Sequence, residues 1–92
     1  MAKVALERPQ LAPGVRLHWD KVRERWVLLF PEGAVALNET AVHVLELCDG
    51  ERSVEEIAAT LSERYSGADV REDVDQLLGA IAERGLVVDG DS

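Results

Sequence analysis

From Val15 the chain alternates apolar and polar side chains. Val15, Leu17 and Trp19 fall on one side and Arg16, His18 and Asp20 on the other, which predicts a half-buried strand. After the polar stretch Asp20 to Glu24, Trp26-Val27-Leu28-Leu29-Phe30 is apolar at every position, as expected of a central strand paired on both sides. Pro31-Glu32-Gly33 reads as a turn, and Ala34, Val35, Ala36 and Leu37 form a short third strand. Being last in the meander, it is expected at an edge with backbone groups unpaired. The period then lengthens from two to about 3.6. Asn38 caps a helix with Ala41, Val44, Leu45 and Cys48 on one stripe, and Gly50 ends it. Ser53 with Glu56 matches a capping box ahead of Val54, Ile57, Ala58, Leu61 and Tyr65. Gly67 interrupts that pattern, and Asp69 with Glu72 offers another start. Val70, Val74, Leu77, Leu78 and Ile81 then make a third stripe, closed by Gly85 as a left-handed cap. Leu86-Val87-Val88 suits a short extended segment.

Three strands followed by three helices predict an α+β fold, winged helix-turn-helix-like with the wing first: an N-terminal three-stranded antiparallel sheet followed by three helices. Residues 1–13 have no clean period and carry Pro9 and Pro13, so a mobile or extended N-terminal arm is expected there. Residues 14–88 then form the folded domain and 89–92 an acidic tail.

Composition narrows the function. Ninety-two residues suit one domain with a single core, burying about 60 to 65% of the surface of its unfolded chain. Residues 1–31 carry a charge of +3 and residues 32–92 a charge of −11, which would repel a phosphate backbone, so nucleic acid is a poor partner. The longest apolar run, Trp26 to Phe30, is far short of a membrane span, and the N-terminus has no apolar stretch of secretory-signal length. With one cysteine, Cys48, and so no internal disulfide, a cytoplasmic location is expected.

Catalytic constellations are not apparent. His18 falls on the polar side of the first strand and His43 off the stripe of the first helix, which places both at the surface. Paired with Glu46, His43 offers only two ligands where a structural zinc needs four. Cys48 lies on an apolar stripe beside Asp49, a setting that raises a thiol pKa and makes the residue a small hydrophobe. Gly33, Gly50 and Gly67 stand alone, so no phosphate-cradling loop is present and no cofactor is expected. Gly79, inside the third helix, costs about 1 kcal/mol against Ala, a cost that close packing or a close ligand approach would offset. What remains is an edge strand beside an amphipathic helix, a geometry to which an extended peptide can add a strand. A winged-helix DNA-binding regulator and a structural dimerisation module with a swapped arm are the alternatives.

The ordered set Pro9, Leu11, Gly14-Val15-Arg16, Asp20, Trp26 to Leu29, Pro31-Glu32, Leu37-Asn38 and Leu47-Cys48-Asp49-Gly50, running on into ERGLV, resembles the PqqD family of peptide-recognition domains over nearly the whole chain. The resemblance implies a non-catalytic peptide chaperone of pyrroloquinoline quinone (PQQ) biosynthesis. Such a domain binds the precursor peptide PqqA and presents it to PqqE, a radical S-adenosylmethionine enzyme. It implies further that the peptide pairs with the third strand, here Ala34, Val35, Ala36 and Leu37, and rests on the third helix. Arg71, Asp75 and Leu78 lie along one line of that helix and are the expected wall. A monomer or a weak, swapped homodimer fits this role.

Overall fold

The computed structural model describes residues 6–90. Its strands are β1 (Pro9–Leu11), β2 (Arg16–Asp20), β3 (Arg25–Phe30), β4 (Gly33–Leu37) and β5 (Val87–Asp89), and its helices α1 (Glu39–Glu46), α2 (Val54–Arg64) and α3 (Arg71–Glu83). The meander forms an antiparallel sheet in the order β2-β3-β4, with Leu17 opposite Leu28 and Leu28 opposite Val35. Because side chains alternate across a strand, these three share one face. Leu28 is fully buried in a core with Val44, Leu45, Ile57, Leu61, Val74, Leu78 and Ile81, so the helical stripes close over that face. At an upper-limit rate of about 25 cal/mol per Å² of apolar surface, burial of this kind is the dominant favourable contribution to folding.

Trp19 departs from the expected pattern. It lies on the face of Leu17 but is 42% exposed. Its partner across the ladder is Trp26, and the two rings meet edge to face with centroids 5.6 Å apart.

The helices begin and end for local reasons. The Asn38 side chain accepts the Ala41 N–H at 2.8 Å. Ser53 and Glu56 form the full capping box, at 3.1 and 2.8 Å, and donation by the Ser53 backbone N–H holds the Glu56 carboxyl below its ordinary value. Two ends differ from the sequence pattern. α1 stops at Glu46, not near Gly50, because the Leu47 and Cys48 N–H groups bond back three residues to Val44 and Leu45 and tighten the last turn. Asp69 is one residue too early to cap α3, whose cap position is Val70; its carboxylate takes the Arg71 N–H instead, at 3.2 Å. The C-terminus of α3 is as expected: Gly85 has φ +75°, its N–H donates to Ala82, and Leu86 donates to Ile81. That is a Schellman motif, with buried Leu86 as its apolar contact.

The expected arm is not free where the structure describes it. Pro9–Leu11 pairs antiparallel with Val87–Asp89 as a second, two-stranded sheet, and Pro9 is buried. Proline suits this place because the first residue of an edge strand has no obligatory donor to lose. Gly50 donates to the Pro9 carbonyl at 3.0 Å and Ala12 to that of Leu86 at 2.9 Å. Asp89, assigned to the tail, belongs to β5, and its carboxylate accepts the N–H groups of Glu7 and Arg8. Residues 1–5 of the expected arm and 91–92 of the expected tail lie outside the described residues.

Candidate peptide-binding edge

β4 pairs with β3 from Gly33 opposite Phe30 to Leu37 opposite Trp26, and its other side has no strand among the described residues. Its small side chains leave that side open. Gly33, Ala34 and Ala36 are exposed, while Val35 and Leu37 are half-buried, Val35 opposite Leu28 and Leu37 packed against the core. The opposite edge, β2, is unpaired too among the described residues, a feature not singled out from the sequence. It carries Arg16 exposed near its start, a charge of the kind that discourages strand addition. β4 carries none.

The expected helix wall is only partly exposed. Leu78 is 3% exposed and belongs to the core. The Arg71 guanidinium bonds Asp75 at 3.1 Å and lies 3.9 Å from Glu55 of α2, so this line of α3 faces the neighbouring helix. The flank that meets the sheet is another one. Arg84 stands over Phe30, its guanidinium carbon 5.7 Å from the ring centroid, and Leu77, two turns earlier on the same side, is half-buried against the core. At 3.6 residues per turn, Arg84 lies roughly 140° around the helix from Arg71. A helical wheel centred on Val74 and Ile81 separates these two flanks in the sequence, but cannot tell which of them meets the strands. Beside Phe30 a shallow groove opens, lined by Gly14, Val15, Arg16, Leu29, Phe30 and Pro31.

The remaining chemistry-bearing residues form no second site. His18 is exposed. His43, expected at the surface, is half-buried, 6.2 Å from the Tyr65 ring, and neither its Nδ1 nor the Tyr65 hydroxyl has a hydrogen-bond partner among the described residues. Cys48 is buried, and desolvation, aided by the Asp49 charge, pushes its thiol up to about 12. No group of three metal-ligating side chains occurs among the described residues, and none of their helices is long and apolar enough to cross a membrane. Gly79 does not serve close packing, since a Cβ there would meet nothing within 4 Å.

Comparison with known proteins agrees with this architecture. The family described as Coenzyme PQQ synthesis protein D (PqqD) matches residues 25–87. A PqqA binding protein of Methylococcus capsulatus is 36% identical over 78 residues, covering 85% of this chain and 84% of its own. The solution structure of the PqqD truncation of Methylobacterium extorquens PqqCD is described as a functional, stand-alone recognition element for ribosomally synthesised, post-translationally modified peptides. It superposes with a TM-score of 0.76 at 35% identity, covering 91% of this chain and 95% of that one. The crystal structure of PqqD from Xanthomonas campestris gives 0.57 at 33% identity, covering 94% and 96%. With most of its length matched by the family and its strands-then-helices order shared with a solved member, the chain belongs to the PqqD family.

Proposed function

We propose that this protein binds a PqqA-type precursor peptide by taking it up as a further strand on β4, and holds it for PqqE, the radical S-adenosylmethionine enzyme of PQQ biosynthesis, in the cytoplasm. The observation that carries this reading is the open side of β4, where small exposed residues leave backbone groups accessible beside a half-buried apolar floor. Main-chain pairing supplies affinity in such a complex, and the pockets taken by alternate peptide side chains supply selectivity. The domain does no chemistry itself; its contribution is to raise the local concentration of the peptide near the enzyme. The pairing of β1 with β5 of the same chain supports a monomeric unit, since the strand a swapped dimer would exchange is already engaged. The acids of α3, exposed at Glu72, Asp73 and Glu83, count against duplex DNA in its place.

Amide hydrogen exchange tests this directly. On addition of a synthetic PqqA peptide, the outward-facing amides within Gly33–Leu37 are expected to slow by at least about tenfold, as ladder bonds replace water. A scrambled peptide should leave them unchanged. Saturable binding with β4 exchange unaltered would move the site elsewhere on the molecule.

A further inference from the structure

We infer that β2 is a self-pairing edge. Two copies of this chain associate antiparallel along Arg16–Asp20, in register about His18, and join their meanders into one continuous sheet with β4 at each outer edge.

Three observations on β2 converge. It pairs with β3 on one side and has no strand on the other among the described residues. It carries Trp19, 42% exposed although it shares the face of Leu17; Trp26 of β3 meets that ring edge to face, and the open side of β2 brings no strand to cover it. Third, the order Arg16-Leu17-His18-Trp19-Asp20 complements itself when reversed. Turned antiparallel about His18, Arg16 stands opposite Asp20 of the second copy and Leu17 opposite its Trp19, and the two-fold axis makes each pair occur twice. Arg16 has no carboxylate within 4 Å among the described residues. Asp20 holds the Val22 and Arg23 N–H groups on Oδ1 and the Arg23 guanidinium on Oδ2. A carboxylate has about four acceptor sites, so Oδ2 can take a further donor.

The charge that guards this edge also selects the partner. An arginine disfavours a strand with nothing acidic to set opposite it, and β2 supplies the acid itself. A slip of one residue would join the polar face of one sheet to the apolar face of the other, and a slip of two would break both Arg–Asp pairs. The contact closes after two chains, whereas β2 of one copy on β4 of the next would propagate without end. Nothing is exchanged, since each copy keeps β1 on its own β5. A ladder of five residues is short, so the pair forms and parts with concentration.

The test uses the full chain. In sedimentation velocity from about 10 μM to about 1 mM, the mass of the wild type is expected to rise from one chain toward two. Arg16→Glu, which sets a carboxylate opposite Asp20 of the second copy, should weaken association about tenfold, with circular dichroism checking that it is folded. Under mild oxidation His18→Cys should cross-link readily, because directly opposed residues on antiparallel strands stand within disulfide reach. Ala36→Cys on β4 should not, since five strand spacings, roughly 24 Å, separate its two copies. Buried Cys48 stays out of the reaction. A single-chain mass over the whole range overturns the inference. So does a dimer in which His18→Cys fails to cross-link or Ala36→Cys does so as readily.

Discussion

Cys48 sits just past the tightened end of α1, buried, with its thiol donating to the Val44 carbonyl at 3.3 Å. Burial and then the Asp49 charge raise that thiol to about 12, so almost none of it is thiolate near neutrality. Alkylation by iodoacetamide at pH 8 is expected to run more than about a hundredfold slower in the native protein than in denaturant, followed by mass spectrometry. The same shift has a consequence for stability. The unfolded chain gives up the thiol proton at its ordinary value, about 8.5, while the folded chain keeps it until about 12. The contribution is therefore complete below about 8.5 and is lost as pH climbs toward 12. Here the sequence was legible: a cysteine on an apolar stripe beside an aspartate is enough to foresee a buried, protonated thiol.

Elements were legible wherever their signals are local. The capping box of α2 was read correctly because Ser53 and Glu56 are three residues apart and carry both partners of the motif. β4 was found because a turn and a change of period bracket it. β1 was missed because Pro9–Leu11 has no pattern of its own; it becomes a strand only against Val87–Asp89, at the other end of the chain. Spacing aligns Arg71, Asp75 and Leu78 on α3, but only packing shows that Arg71 lies near Glu55 of α2 while Arg84 lies over Phe30. Gly79 illustrates a cost without a visible return. Open space surrounds its missing Cβ, so Gly79→Ala should stabilise the protein by about 0.5 to 1 kcal/mol, a rise of several degrees in a thermal melt. A fall in stability would mean that the helix needs glycine there.

At the scale of the whole molecule, one junction holds three distant segments together. Gly50 has φ +81°, donates to Pro9, and a Cβ there would have to displace the end of the Gln10 side chain. A Cβ on Gly90 would come within 2.6 Å of the Gly50 Cα, and Gly90 donates to the Arg8 carbonyl at 2.7 Å. The α1–α2 loop, the start of β1 and the end of β5 thus meet backbone to backbone. Gly50→Ala places a side chain on a left-handed residue, and a loss of about 1 to 2 kcal/mol is expected in urea denaturation. Unchanged stability would show that the junction can relax.

The pairing of Pro9 with Asp89 also fixes where the chain enters and leaves. β1 and β5 lie side by side, in a sheet separate from the one that contains β4. A protein grafted onto either end is tethered at a single corner, and joining the two ends by a short linker while cutting a surface loop would reorder the sequence without moving the open strand. The fold is in this sense a cassette, with its attachment point and the proposed peptide edge on different sheets.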